Sequence, residues 1–303
     1  MSLLKKRPFI FFIAPALIIY TIFVIYPMVA ILPYSFMKWG GISAAQFVGF
    51  QNFRDIFEEV NVVEQMKNAF SNTFFLLFLT YLFLNPIVIA IAYFLYRKVY
   101  LSEIYKTIIF MPQFVNNVAV AFIATLFFAP SVGLYGNFMT AIGLSEKAIA
   151  GIWANPVYGV PLLLLVGGWR GIGYETLLYI ANFSMVPIEL DEAARIDGAN
   201  EWQRFFRIYF PLISPTFTNI VVLMYIWTLT TFDIAFLLGG MSGGVNGSMD
   251  TIQLFFYRNV FGRSSNVGNF VGMGATYSVI ILVTLISGSM LLQWILRKRE
   301  VSY

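Results

Sequence analysis

The sequence predicts an all-α, polytopic membrane protein with six transmembrane helices and a cytoplasmic two-helix loop between spans four and five. Three observations lead there. Of 303 residues, 59% are hydrophobic and only 11% charged, against about 25% charged in a soluble domain. The apolar residues gather in six long stretches set between polar segments. Finally, residues 187–211 form an island of charge carrying Glu189, Asp191, Glu192, Arg195, Asp197, Glu201, Arg204 and Arg207. An ionised side chain at the bilayer centre costs roughly 2.5–3.5 kcal/mol, so this island lies in water.

The first span is expected over residues 8–37. Lys5, Lys6 and Arg7 precede it, and its apolar run is about twice as long as a signal-peptide core, so it reads as an uncleaved span with kinks at Pro15, Pro27 and Pro33. Residues 68–296 are expected to hold the other five helices, and residues 1–303 to form one membrane domain. The second span runs from 68 to 96, contains Asn85-Pro86 and is stopped by Arg97 and Lys98. The third covers 108–128, opening on Met111-Pro112-Gln113. A glycine-rich linker with Glu146 and Lys147 follows, then the fourth span over 157–183 with Trp169, Arg170 and Glu175 inside. The fifth covers 208–238, with Pro211, Pro215, Asn219, Trp227 and Asp233, and the sixth covers 271–296, closed by Arg297, Lys298 and Arg299.

Orientation follows from charge. With both termini in the cytoplasm, twelve of the 19 lysines and arginines fall inside and six outside, Arg170 lying within a span; positive charge favours the cytoplasmic side.

The charged loop has its own punctuation. Pro187 suits a first helical position, Asp191 and Arg195 are four apart on one face, and Gly198 ends the run. Asn200 can cap a second helix with Gln203 reaching back, and the segment from Trp202 to Phe206 offers an apolar side. Ala193 and Ala194 leave low relief where another protein can approach. Docking to a partner and lying on the bilayer surface both fit that spacing.

Glu192-Ala193-Ala194, three residues, Gly198, nine residues, then Ile208-Tyr209-Phe210-Pro211 resembles the signature loop of membrane subunits of bacterial ABC importers, with Phe210 where that family usually has leucine. Glu189-Leu190 before it and Ile196-Asp197-Gly198-Ala199 within it resemble the carbohydrate branch. Two outer segments, residues 47–53 and 238–257, are similar to loops of the larger maltose- and glycerol-phosphate-type permease subunit, although Val245 stands where a proline is usual. The resemblance implies the type I ABC importer permease fold in a bacterial cytoplasmic membrane. It implies a coupling role for Glu192, Ala193, Ala194, Asp197, Gly198, Ile208 and Pro211. It also implies four kinds of partner: a second homologous permease, two ATP-binding-cassette ATPases that hold ATP and magnesium, an external solute-binding protein, and a sugar.

Chemistry within the chain is restricted. Cysteine and histidine are both absent, which excludes disulfides, thiol nucleophiles, imidazole bases and the commonest zinc ligands. No phosphate-binding loop occurs, and the +4 charge is too small and scattered for nucleic acid. Gly167, Gly168, Gly171 and Gly173 lie within a span, where glycine permits close helix packing. No catalytic residue, metal or cofactor is expected in this chain.

Candidates for a solute pathway are polar or aromatic residues in mid-span: Asn116, Asn117, Trp169, Arg170, Asn219, Tyr225, Trp227 and Asp233, with Asn85, Glu175 and Thr230 beside them. Sugars suit such a lining, because ring faces stack on aromatic planes while hydroxyls take amides and carboxylates. Each aromatic is equally at home as an interface anchor. Arg170 needs a partner or a watery cavity, and Asp233 is the partner considered. A self-contained ion-coupled carrier is the competing reading. It calls for intramembrane carboxylates and inverted repeats, for which Glu175 and Asp233 are thin support. A membrane enzyme lacks the residues it would need.

Overall fold

The computed structural model describes residues 9–42, 44–128, 133–143, 155–262 and 268–298. Pro8, Lys5, Lys6, Arg7, Glu146, Lys147, Arg263 and Arg299, which enter the span and charge arguments above, lie outside the described residues. Helices account for nearly all regular structure, and the Cα packing resolves into two compact units.

The first unit comprises residues 1–63 and 256–284. Helices α1 (Phe9–Tyr20) and α2 (Tyr26–Tyr34) run through a π turn at Thr21–Ile25. A two-stranded antiparallel hairpin, β1 (Met37–Lys38) with β2 (Gln46–Phe47), leads to α3 (Gln51–Glu58). Buried Asn52 donates to the carbonyls of Ser35 and Met37, both at 2.9 Å, and accepts from Asn269 at 2.8 Å. Thr276 adds a bond to Ser35 O at 3.1 Å. Three polar side chains thus staple the end of the first span to the start of the last, satisfying backbone groups that a helix terminus leaves open.

The second unit comprises residues 64–255 and 285–303. Helix α4 (Val60–Leu79) passes through a π turn at Thr80–Leu84 into α5 (Asn85–Tyr96). The second span was expected to begin near residue 68; the helix begins at Val60, because no glycine or proline interrupts residues 60–84. Helix α6 (Ser102–Phe110) and the 3₁₀ turn Met111–Phe114 meet α7 (Asn117–Phe128) at 99°. After α8 (Leu134–Ala141) comes α9 (Gly159–Phe183). The charged loop supplies α10 (Ile188–Ile196) and α11 (Glu201–Arg204), and α12 (Ser214–Leu229) breaks before α13 (Asp233–Gly239). Of α14 (Ile252–Phe261) and α15 (Phe270–Arg297), which close the chain, residues 256–261 and 270–284 belong to the first unit.

Four described helices are long and apolar enough to cross a membrane, or five if the bent α6–α7 pair is one crossing. Helix α9, carrying Arg170 and Glu175, is 25 residues long and not among them. The π turns share a cause. Those at Thr21–Ile25, Thr80–Leu84 and Phe205–Tyr209 each end two residues before a proline, at Pro27, Pro86 and Pro211. Proline lacks an N–H and its ring collides with the carbonyl four residues back, which in each case lies inside the widened turn.

Two buried clusters organise this unit. One gathers Leu76, Val120, Leu163, Val166, Ile234 and Leu254 around the α7–α13 contact. The other packs Val88, Tyr93, Tyr179, Phe183, Tyr209 and Met224 beneath the charged loop. Of the four glycines expected to permit close packing, Gly173 does so, since a Cβ there would come within 2.7 Å of Ile109 O, and Gly168 would meet Leu84 at 3.1 Å, whereas Gly171 faces open space.

Candidate functional site

Two sites emerge in the second unit. The first is the charged loop. Helix α10 ends as its sequence demands: Gly198 sits at φ +78°, its N–H donates to Arg195 O at 3.1 Å, and Ala199 N–H donates to Ala194 O at 2.9 Å. This pair of bonds is the Schellman motif, which needs a left-handed residue. Asn200 and Gln203 exchange bonds of 2.9 and 2.8 Å in a full capping box. Asp191 pairs with Arg195 at 3.0 Å. Pro187 proves to be the N-cap rather than the first helical residue, a one-place shift of the boundary.

The loop is clamped to the end of α5. Asp191 is 3% exposed and lies between Arg97 at 3.0 Å and Arg204 at 2.9 Å, with Arg195 behind. Arg97 also reaches Glu201 at 2.9 Å and donates to Tyr209 Oη at 3.2 Å, while Glu201 binds Arg204 and accepts from Tyr93 Oη at 2.7 Å. Burial raises the Asp191 carboxyl, but the hydrogen bond and charge of Arg97, then the charges of Arg204 and Arg195, outweigh it and hold the group below the usual carboxylate range. A single carboxylate thereby ties α10, α11 and α5 together. The sequence marked Arg97 only as a stop to the second span; its role depends on a partner 94 residues away.

The outer side of this clamp is bare. Glu192, Ala193, Asp197 and Gly198 are exposed, Ala194 is half-buried, and Ile196, Trp202 and Phe206 are 87%, 72% and 58% exposed. Trp202 and Phe206 stack with centroids 6.1 Å apart. Ile208 and Pro211 face inward, half-buried, where the π turn enters the next helix.

The second site is a cavity of about 450 Å³ bounded by α9, the α6–α7 break and the α12–α13 break. At the first break Arg170 Nε donates to Val115 O at 3.1 Å and Asn116 Oδ1 accepts from Val118 N at 2.8 Å. Both patch backbone groups freed by the bend, as non-helical backbone at membrane depth requires. Asn117 then donates to Asp233 at 2.8 Å, bridging the two breaks. Trp227 meets Tyr174 edge-on at 5.4 Å.

Of the pathway candidates, Asn117, Arg170, Trp227 and Asp233 border this cavity, as do Thr230 and Glu175. Arg170 and Asp233 form no ion pair with each other among the described residues; a carbonyl and an amide take their place. Asn116 borders a shallower recess on the same bend, Trp169 and Asn219 are exposed away from the cavity, and Tyr225 is buried against Gly288. Asn85 is buried, accepting from Tyr179 Oη at 2.9 Å. Sequence reading missed Gln113 and Tyr174, which the bend and the helix bring to the wall; the 99° break at Val115 that places Gln113 carries no signal beyond Pro112.

Long apolar helices, two broken spans around a polar cavity and a charged loop with a bare face define a membrane transport subunit. Residues 85–301 match the binding-protein-dependent transport system inner membrane component, and the chain belongs to that family. It is 26% identical over 299 residues (96% of this chain, 94% of the other) to a probable starch degradation products transport system permease protein of Thermoanaerobacterium thermosulfurigenes. It is 29% identical over 295 residues (96% and 94%) to the sn-glycerol-3-phosphate transport system permease protein of Pectobacterium atrosepticum. The fold is similar to that of a chain in a bacterial alginate ABC transporter crystallised with an alginate pentasaccharide-bound periplasmic protein, with TM-score 0.80, 23% identity and coverage of 97% and 96%. A second alginate importer structure gives 0.78 and 25%, covering 96% and 97%. Family membership sets aside the self-contained ion-coupled carrier.

Proposed function

We propose that this chain forms half of the pore of a bacterial ABC importer for a sugar or oligosaccharide. It crosses the cytoplasmic membrane six times with both termini inside, and performs no covalent chemistry itself. The observation that carries the reading is the family match over residues 85–301, with the charged loop inside it; the starch-product and alginate relatives support a saccharide as cargo. The loop, residues 187–211, presents Glu192, Ala193 and Ala194 with Ile196 and Trp202 to a groove on an ATPase subunit. Asp197 and Gly198 set the turn between its helices. ATP and magnesium belong to the ATPase subunits, a second permease completes the pore, and a solute-binding protein delivers cargo from outside.

Movement at the ATPase is carried into this chain through the Asp191 clamp. Because Arg97 closes α5 while gripping both loop helices, a shift of the loop pulls on the long helix leading back to Thr80 and the cavity. Coupling is mechanical, through a rigid charged joint rather than a reacting group. The test is uptake by liposomes holding the whole complex, offered a panel of sugars with and without ATP. Sugar uptake that requires ATP and the ATPase subunits is expected; uptake by this chain alone, driven by an ion gradient, would overturn the reading.

A further inference from the structure

The cavity wall holds a group that the mechanism above leaves idle. Glu175 is 4% exposed, borders the cavity, and its Oε2 has no hydrogen-bond partner among the described residues. An unpaired buried polar group destabilises the fold, and leucine would fill an apolar helix face there without that cost. Gln113 Oε1, on the same wall, is also buried and unpaired. Arg170 spends Nε on Val115 O and has no other hydrogen bond among the described residues. The residues lining the cavity therefore include unspent acceptors and donors.

We propose that Glu175 reads a hydroxyl of the transported solute, and that this cavity admits uncharged polyhydroxyl solutes while discriminating against uronates and sugar phosphates. The inference rests on the reading of the cavity as the sugar pathway. Its basis is charge as well as pairing. The charged residues on the wall are Arg170, Asp233 and Glu175. With Glu175 protonated the wall is neutral, and with Glu175 ionised it is negative; in neither state does an anion meet a net positive surface. A hydroxyl both donates and accepts, so it serves Glu175, Gln113 and Arg170 alike, while the Trp227 indole gives a sugar ring an apolar plane. A cavity of about 450 Å³ falls within the range of ~300–1,000 Å³ for small-molecule sites.

The test uses the complete importer, with its binding protein and ATPases, in liposomes. Radiolabelled neutral oligosaccharides and their uronate and phosphorylated counterparts are offered, and each variant is compared with wild type for each solute so that the binding protein's own preference cancels. Membrane level is measured alongside. Glu175→Gln, which still donates and accepts, lowers uptake of the neutral solute far less than Glu175→Leu does. Glu175→Leu lowers it by about tenfold or more at equal membrane level. Glu175→Gln combined with Asp233→Asn raises the uronate-to-neutral uptake ratio about tenfold. Normal uptake by Glu175→Leu, equal loss in the Gln and Leu variants, or an unchanged ratio in the double variant would each overturn the proposal. Absence of any ATP-driven sugar uptake in wild type would remove the pathway reading beneath it as well.

Discussion

Replacing Arg97 by alanine perturbs the joint on which coupling depends. The variant removes one of three arginines from buried Asp191, one of two from Glu201, and the donor to Tyr209 Oη. Breaking a buried pair costs about 3–5 kcal/mol. Two features lower this: Arg204 and Arg195 remain on Asp191, and the Arg97 side chain is 19% exposed, so solvent screens part of its charge. A cost of about 1–2 kcal/mol for seating the loop remains, equivalent to about 5–30-fold in the seated-to-unseated ratio. Hydrogen exchange of α10 and α11 in the purified complex reads this directly, since local opening governs amide protection. The sugar moved per ATP hydrolysed in liposomes should fall in parallel. Arg97→Lys should recover part of both, because a point charge cannot grip two carboxylates as the guanidinium fork does. Unchanged exchange and an unchanged transport ratio in Arg97→Ala would refute the clamp as a transmitter.

Other consequences follow from the same geometry. Gly198→Asp places a non-glycine residue at φ +78°, costing about 1–2 kcal/mol, and should uncouple hydrolysis from uptake while the subunit stays in the membrane; normal uptake would count against the loop's role. Since the Asp191 carboxyl lies below its ordinary range, its support for the loop is present above about pH 4 and is lost as pH falls through the lowered value. Proteolysis of the loop should therefore rise in acid, and Asp191→Asn should abolish that pH dependence. Arg170→Ala leaves Val115 O unpaired at the bend, a loss of about 1–3 kcal/mol, and should reduce assembly or transport; normal levels of both would show the bend stands without it. Gly173→Val drives a side chain onto Ile109 O, and a fall in melting temperature matching about 1–3 kcal/mol checks the close crossing.

Local chemistry was legible in the sequence, and long-range pairing was not. The glycine that ends α10, the Asn200–Gln203 box and the Asp191–Arg195 pair each involve residues within four places, so spacing alone declares them. Membrane character followed from composition. By contrast, Arg97 reads identically whether it flanks a membrane or grips Asp191, and Asn52 gives no hint of Asn269, 217 residues away. Prolines announced that the helices would be irregular, yet whether each yields a π turn or a 99° bend depends on which neighbour satisfies the freed carbonyl. Arg170 was recognised as needing company, but its partner is a backbone carbonyl that exists only because α6 and α7 bend apart.

The chain contains no cysteine, so a single Ala193→Cys variant reports cleanly on the loop's outer face. In sealed vesicles of known orientation, the new thiol should react with an impermeant maleimide only from the cytoplasmic side, and binding of the ATPase subunits should shield it. Reaction from the external side, or equal reactivity with the ATPases bound, would contradict the account.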